Sequence, residues 1–149
     1  MARKPFRFGL IGKATSREEW IEQAKQAEEL GYASFLASDH VYWEFSPIAA
    51  LQAAASATTT LRIGSHVFSN GFWHPVQLAR EAATLDVLSG GRFELGIGAG
   101  YFALEYAQAG IPFASAQERI ARLEGAVQVI TGLFRTASPL LGRPSPMLS

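Results

Sequence analysis

The stretch "HPVQLAREAATLDVLSGGRFELGIGAG" (residues 74–100) decides the fold class, because a helix and a strand follow each other in it without a long loop. Pro75 stands at the start of the predicted helix, where proline is tolerated. Gly90 and Gly91 end that helix, since glycine adopts a positive φ at little cost. "RFELGIG" (92–98) then predicts a short strand, so the stretch contains the elements of a repeating βα unit.

The same alternation extends outward over most of the chain. Strand starts recur about every 27 to 31 residues, the spacing of one βα unit. Alternating strands and helices predict a parallel sheet covered by helices, which fits a small doubly wound sheet or half of an eight-unit barrel. The tail, residues 135–149, carries three of the seven prolines and is predicted to be irregular. Strands are predicted at 6–12, 33–38, 61–68 and 92–98, and helices at 16–31, 46–57, 74–91 and 115–134.

The overall composition excludes several classes of protein. The 149 residues include 13 basic and 13 acidic side chains, so the chain lacks the basic excess that nucleic-acid binding requires. There is no cysteine, which excludes disulfides and Cys-ligated metal centres and fits a cytoplasmic protein. No apolar run of about 18 residues occurs, so no membrane span is predicted.

The glycines of "GIGAG" (96–100) do not match a nucleotide-binding fingerprint. Their spacing is G-x-G-x-G, whereas a dinucleotide loop needs G-x-G-x-x-G, and Tyr101 occupies the next position. The following predicted helix begins only near residue 115, so no helix N-terminus stands directly behind the loop to receive a phosphate. Gly98 and Gly100 either let the backbone bend at the strand end or admit the close approach of a flat ligand.

The three histidines fall on one side of the predicted sheet. His40 follows the second strand, His66 lies near the end of the third, and His74 precedes the third helix. Chemistry in parallel α/β folds collects at the carboxyl ends of the strands, and the Asp39–His40 pair there favours proton transfer over a purely structural histidine. The spacings His-x-His and His-x-x-x-His do not occur, which disfavours a metal site.

Acidic and aromatic residues near the predicted fourth strand have alternative interpretations. Glu105 is either a solvated loop charge or a group that closes over the same pocket. Asp86 is predicted to form a helix–strand salt bridge with Arg92. Aromatic side chains between residues 101 and 113 either form a lid over a flat cofactor or pack the loop, and they are Tyr101, Phe102, Tyr106 and Phe113.

Several stretches together resemble the luciferase-like family of flavin- and deazaflavin-dependent oxidoreductases and monooxygenases. They are "EEWIEQAKQAEELGYASFLASDH", "ATTTLRIGSHVFSN", "HPVQLAREAATLDVLSGGRFELGIGAG", "EYAQAGIPF" and "RIARLEGAVQVI". The resemblance spans about residues 6–134 and implies a TIM barrel of parallel strands. The Asp39–His40 pair is the feature of the branch that uses coenzyme F420, so F420 is favoured over FMN.

The resemblance also implies roles for individual residues. His40 would handle a proton beside the hydride-transfer carbon, and His66 with Val67 would form a bulge behind the cofactor ring, which in several relatives holds a non-proline cis peptide. The cofactor would also contact Asp39, Gly98, Gly100 and Glu105. Trp43 and Glu44 are candidates for substrate contact, although Trp43 lies three residues after the histidine and some sugar-phosphate-oxidising relatives place a tryptophan four residues after it. No metal is implied.

The chain departs from the family in length. An eight-unit barrel needs roughly 250 residues, so residues 1–134 are interpreted as an N-terminal half barrel of about four βα units, and the chain is interpreted as truncated. Such a half would expose two strand edges, which predicts a homodimer or other self-association. Two alternatives to a small-molecule oxidoreductase stay open, namely a non-catalytic half-barrel fragment or interaction module, and a metal-dependent hydrolase.

Overall fold

The parallel sheet predicted from the sequence is present. A computed structural model describes residues 6–41 and 45–136. Four parallel strands form one sheet in the order β1-β2-β3-β5, and β4 pairs in parallel with β6 in a second, two-stranded sheet. The strands are β1 (Gly9–Ile11), β2 (Ser34–Ala37), β3 (Arg62–Ser65), β4 (Phe68–Ser69), β5 (Phe93–Glu94) and β6 (Ile97–Gly98).

Two of the predicted strands are each divided into two. The strand predicted at 61–68 breaks after Ser65, and the strand predicted at 92–98 breaks after Glu94. At this break the Ser65 hydroxyl donates to the Gly96 carbonyl over 2.7 Å and accepts from the Gly96 amide over 2.9 Å. The side chain thus replaces ladder hydrogen bonds between the two strands, and their C-terminal parts pair separately as β4 and β6.

The helices begin and end close to the predicted positions, with one addition. A short helix at 103–108 lies in what the sequence suggested was a loop, and the last helix continues through residues 135 and 136, which were predicted to belong to the tail. The rest of the predicted tail, 137–149, lies outside the described residues. The helices are α1 (Arg17–Glu29), α2 (Pro47–Ala57), α3 (Pro75–Leu88), α4 (Ala103–Gln108) and α5 (Ala116–Thr136), and a 3-10 turn spans Asn70–Phe72.

Helix starts follow the capping chemistry that the sequence predicts at two of the positions. The Ser115 hydroxyl accepts from the Glu118 amide, and the Glu118 carboxylate accepts from the Ser115 amide over 2.9 Å. The Ser16 hydroxyl likewise accepts from the Glu19 amide over 3.2 Å. Ser46 precedes α2 in the same position but makes no such bond with its side chain.

The core lies between the four-stranded sheet and the helices α1, α2 and α3. Apolar side chains of the central strands and of one face of each helix are almost fully buried there, and Trp20 packs edge-on against Phe35 at 4.8 Å between ring centroids. Burial of this apolar surface is the main stabilising contribution to the fold. The largest fully buried side chains are Phe35, Leu51, Ile63, Phe68, Leu78 and Phe93.

The predicted salt bridge between Asp86 and Arg92 is wrong. The Arg92 guanidinium instead donates to the carbonyls of Ala55, Leu61 and Ser89 and to the hydroxyl of Thr58, over 2.6 to 3.1 Å. Backbone carbonyls at helix ends lack helical partners, and a planar guanidinium can satisfy several of them at once. Arg92 therefore ties the ends of α2 and α3 to the start of β3.

Glu28 organises the turn that leads into β3. One carboxylate oxygen accepts from the backbone amides of Thr59, Thr60 and Leu61 over 2.6 to 2.9 Å. Burial raises the pKa of the Glu28 carboxyl, but the hydrogen bonds from these amides outweigh it and lower the pKa to about 2. The ionised carboxylate is thus the form that holds the turn.

Replacing Glu28 with glutamine is expected to destabilise the chain near neutral pH by about 1 to 3 kcal/mol, because charge-assisted hydrogen bonds are lost. The Glu28 pKa is lower in the folded than in the unfolded chain, where it is about 4.3, so its contribution is present above that pH and is lost as pH falls toward about 2. Urea unfolding of the unaltered chain and of Glu28→Gln at pH 6 and pH 3 measures the stability difference at each pH. The stability difference should shrink at pH 3, and Glu29→Gln, next to it and exposed, should show no comparable difference at either pH.

Candidate functional site

A cavity of about 490 Å³ lies at the carboxyl ends of the strands. Its walls come from the ends of β1, β2 and β3, from β4 and β6, and from the segment that carries α4. This is the edge of a parallel sheet at which ligand sites are expected. The predicted cofactor-binding and catalytic residues all line it, namely Asp39, His40, His66, Val67, Gly98, Gly100 and Glu105.

His40 and Glu105 form a hydrogen-bonded pair at the cavity wall. His40 Nδ1 lies 2.9 Å from Glu105 Oε1, across 65 residues of sequence. The side chain of Glu105 is only 5% exposed and that of His40 24% exposed, so the carboxylate supports the ring from the buried side. A carboxylate that accepts from Nδ1 fixes the orientation of the imidazole, and this geometry suits proton transfer. Glu105 is thus part of the cavity rather than a solvated loop charge.

Asp39 joins the end of β2 to the neighbouring backbone. Its Oδ2 accepts from the Ser69 amide over 2.9 Å and from Trp73 Nε1 over 2.8 Å. Burial raises the pKa of the Asp39 carboxyl above its ordinary value, and these two hydrogen bonds and the charge of His40 only partly offset that effect, while the charge of Glu105 adds to it. Ser69 and Trp73 are contributors that the sequence analysis missed.

The segment after β3 forms the apolar wall of the cavity. The peptide bond between His66 and Val67 is cis, in the place where the resemblance implied a bulge, and the His66 amide donates to the Ala37 carbonyl over 2.8 Å. The Val67 side chain is 40% exposed and lines the cavity. A Cβ atom at Gly98 would lie 2.8 Å from Val67 Cγ2, so this glycine lets the valine side chain come close to the end of β6.

Gly100 has a comparable close contact with Tyr106. Its φ is +76°, and a Cβ atom there would collide with the Tyr106 hydroxyl. Tyr106 is 3% exposed, and its hydroxyl lies 3.1 Å from the Ser69 hydroxyl. The glycines of the "GIGAG" run thus allow the cavity walls to pack closely around Val67 and Tyr106.

Replacing Gly100 with alanine should destabilise the chain more than the same change at Gly110. Both residues have positive φ, which costs an alanine about 1 to 2 kcal/mol, but only Gly110 has no atom within 4 Å of the added Cβ. Gly100→Ala adds the collision with Tyr106 and should cost about 1 to 3 kcal/mol more. Urea unfolding of the two variants measures the difference. Equal costs would show that the contact with Tyr106 is not tight.

Arg119 anchors the segment that carries α4. From α5, its guanidinium donates to the Gly100 carbonyl over 3.2 Å and to the Ala114 carbonyl over 2.6 Å, and it lies 4.0 Å from the centre of the Phe113 ring. Both ends of the segment are therefore held by one side chain, with Glu105 between them. Arg119 was not predicted, because only the folded chain brings these carbonyls together.

The structure does not place every predicted residue in the site. Trp43 and Glu44 lie outside the described residues. His74 stands at the start of α3 and is not part of the cavity wall. Within residues 6–41 and 45–136, no group of three or more histidine, aspartate or glutamate side chains is arranged to hold a metal ion. The same two ranges contain no helix with the length and apolar character needed to cross a bilayer.

The cavity wall combines exposed apolar side chains with polar groups, a lining typical of sites that bind small organic ligands. Apolar side chains of Ile11, Val67 and Tyr101 are 47%, 40% and 77% exposed on the wall, and a flat ligand would cover them. Polar atoms of Asp39 and His40 lie on the same wall and could orient such a ligand by hydrogen bonds. The cavity volume also falls within the usual range for ligand sites, about 300 to 1,000 Å³.

Comparison with known sequences identifies relatives over most of the chain. A sequence model of the family described as luciferase-like monooxygenase matches residues 5–143. The F420-dependent glucose-6-phosphate dehydrogenase of Amycolatopsis mediterranei is 32% identical over 137 residues, covering 83% of this chain and 41% of the dehydrogenase. The oxygenase component of the flavin-dependent trigonelline monooxygenase of Acinetobacter baylyi is 30% identical over 122 residues, covering 79% of this chain and 34% of that protein.

Solved structures show the same fold. The monooxygenase RslO1 from Streptomyces bottropensis superposes with a TM-score of 0.74 at 30% identity, covering 87% of this chain and 43% of RslO1. An F420-dependent secondary alcohol dehydrogenase in complex with an F420–acetone adduct superposes with a TM-score of 0.80 at 24% identity, covering 89% of this chain and 43% of that one. The predicted TIM-barrel type is confirmed, and the chain spans about two fifths of the length of the first of these curated relatives.

Proposed function

The chain belongs to the luciferase-like monooxygenase family, and from that membership we propose that it binds coenzyme F420 or FMN and takes part in the oxidation or reduction of a small organic molecule. The observation that carries the proposal is the His40–Glu105 pair, 2.9 Å apart on the wall of a cavity of about 490 Å³ at the carboxyl ends of the strands. When bound, the cofactor would accept or donate hydride, and FMN could also activate oxygen. F420 is favoured because the Asp39–His40 pair resembles the feature of the family branch that uses F420.

His40 is the proposed acid or base. Glu105 fixes the ring through Nδ1, so Nε2 is the atom through which the imidazole would exchange a proton with the ligand. Glu105 is buried, so its contact with the ring is held within the packed wall of the cavity. The pair therefore supplies a proton-transfer group of fixed orientation at the cavity wall.

The remaining cavity residues would bind and orient the cofactor. Val67, with Gly98 behind it, would pack against one face of the ring, and the polar side chain of Asp39 would accept a hydrogen bond from its edge. Gly100, with Tyr106 packed against it, and His66 complete this wall. We assign substrate contact to Trp43 and Glu44 only from their position in the sequence after His40.

We also propose that the chain associates with itself in the cytoplasm. In the described sheet, β1 and β5 each have only one neighbouring strand, so both present an open edge that could pair with a second copy. Analytical ultracentrifugation would show a dimer or larger species.

Two other functions gain no support from the described part of the site. A metal-dependent hydrolase would need a cluster of metal ligands, and a non-catalytic interaction module would not need a buried acid beside a histidine.

The experiment that tests the proposal is a titration of the purified chain with F420 and, separately, with FMN, followed by cofactor fluorescence. Circular dichroism on the same samples reports folding. Saturable binding supports the proposal, and the tighter ligand identifies the cofactor. A folded chain that binds neither cofactor would refute it. Turnover is then tested with the preferred cofactor and a substrate panel of glucose 6-phosphate and secondary alcohols, chosen from the substrates that the relatives' names indicate.

A further inference from the structure

Trp73 lies outside the cavity and contacts one of its lining residues, Asp39. It follows the 3-10 turn that leaves β4, and it packs edge-on against the buried Phe68 at 5.3 Å between ring centroids. Its indole Nε1 donates to Asp39 Oδ2 over 2.8 Å, although Trp73 itself does not line the cavity. The indole is thus held by the core on one side and hydrogen-bonded to a cavity residue on the other.

The two oxygens of Asp39 have different surroundings. Oδ2 accepts both from Trp73 and from the Ser69 amide over 2.9 Å. Oδ1 receives no hydrogen bond from the described residues, and Asp39 lines the cavity. Two donors on one oxygen fix the rotation of the carboxylate and leave its second oxygen as an acceptor at the cavity wall.

We propose that Trp73 is a positioning residue that, together with the Ser69 amide, fixes the Asp39 carboxylate so that its Oδ1 accepts from an N–H or O–H group of the bound ligand. The indole N–H stabilises the ionised carboxylate, and its rigid ring holds the donor in place. The same contact joins the end of β2 to the segment after β4, so it also sets the spacing of two cavity walls. Nothing in the residue order around Trp73 indicates this role.

The electrostatic surroundings of Asp39 make the hydrogen bond from the Trp73 indole N–H important. Burial raises the pKa of its carboxyl, the nearby charge of Glu105 raises it further, and the charge of His40 lowers it. Removing the indole N–H takes away one of the two hydrogen bonds that stabilise the carboxylate, so the pKa of Asp39 should rise. The titratable groups that line the cavity around Asp39 are His40, His66, Tyr101, Glu105 and Tyr106, and His74 follows Trp73 in the chain.

The test uses Trp73→Phe, which keeps an aromatic ring against Phe68 and removes only the N–H donor. Carbon-13 NMR of the Asp39 carboxyl carbon over a pH series measures its pKa in the unaltered chain and in the variant. We expect a higher pKa in Trp73→Phe. An identical pKa in a folded variant would overturn the proposal.

The matched control is Trp20→Phe. Trp20 Nε1 donates to the Ala50 carbonyl over 2.8 Å in the core, so this variant loses a comparable indole hydrogen bond away from Asp39. It should be destabilised without any change in the Asp39 pKa. A shift of similar size in both variants would show a general loosening of the fold and would also contradict the proposal.

The consequence for ligand binding rests on the proposed function and has its own measurement. F420 or FMN should bind Trp73→Phe about tenfold more weakly than the unaltered chain at neutral pH. If cofactor affinity depends on an ionised Asp39, it is lost as pH falls through the pKa of Asp39. Because that pKa should be higher in Trp73→Phe, the variant should lose affinity at a higher pH than the unaltered chain. If the unaltered chain binds neither cofactor, the proposed function fails, and the NMR result still decides the contact between Trp73 and Asp39.

A double-mutant cycle on stability covers the case in which Trp73→Phe folds poorly. Asp39→Asn, Trp73→Phe and the double variant are compared with the unaltered chain by urea unfolding at neutral pH. Trp73→Phe should be clearly less destabilising when Asp39→Asn is already present, because the carboxylate that the indole stabilises is gone. Additive effects of the two changes would refute the coupling.

Discussion

Replacing His40 with alanine is expected to lower turnover by about 10²- to 10⁴-fold, the usual contribution of a positioned proton-transfer group. The imidazole is partly exposed at the cavity wall and held by a buried carboxylate, so its loss removes the proposed acid or base without opening the core. Cofactor affinity should change only a few-fold. Steady-state rates with the cofactor and the substrate panel measure the effect, and thermal unfolding checks that the variant is folded.

His74→Ala is the control for this prediction. His74 lies at the start of α3, is exposed and does not line the cavity, so its removal should leave turnover unchanged. Unchanged turnover in His40→Ala would exclude His40 as the acid or base. A large loss in cofactor affinity with little loss in rate would instead make His40 a binding residue.

Local features of the fold could be predicted from the sequence because their causes are local. The glycines at 90 and 91 have positive φ and end α3 as expected, and Ser115 with Glu118 caps α5. The alternation of strands and helices gave the parallel order of the sheet correctly. The caps and helix ends depend on residues within one turn, and the parallel sheet follows from a repeat that the sequence shows over most of its length.

The missed features depend on contacts between residues far apart in the sequence. Trp73 and Asp39 are 34 residues apart, and Ser65 divides two predicted strands by bonding to Gly96, 31 residues away. The sequence does not distinguish Ser65 from other residues of an apolar strand. It also does not indicate which group accepts a hydrogen bond from the Trp73 indole N–H. His40 and Asp39 were found because the carboxyl end of a strand is a known place for chemistry, whereas their partners Trp73 and Ser69 had no such signal.

The predicted Asp86–Arg92 salt bridge was wrong for the same reason, because most acceptors of Arg92 lie far from it in the sequence. Replacing Arg92 should have a large effect on stability. Arg92→Met is expected to lower the free energy of unfolding by at least about 3 kcal/mol and the melting temperature by about 10 °C. The variant leaves the carbonyls of Ala55, Leu61 and Ser89 without their donor, at the ends of two helices and the start of a strand. Carbonyl groups in partly buried positions regain hydrogen bonds to water only incompletely, so the loss is larger than that of a surface ion pair.

Arg80→Met provides the comparison, since Arg80 lies on α3 with its side chain 74% exposed and forms a surface ion pair with Glu81 at 3.3 Å. That change should cost less than about 0.5 kcal/mol. Arg92→Lys should recover only part of the stability, because an ammonium group is a point donor and cannot reach acceptors spread over two helix ends. Thermal and urea unfolding of the three variants order the effects. If Arg92→Met unfolds like the unaltered chain, water or neighbouring groups satisfy the three carbonyls, and the link between α2, α3 and β3 contributes nothing to stability.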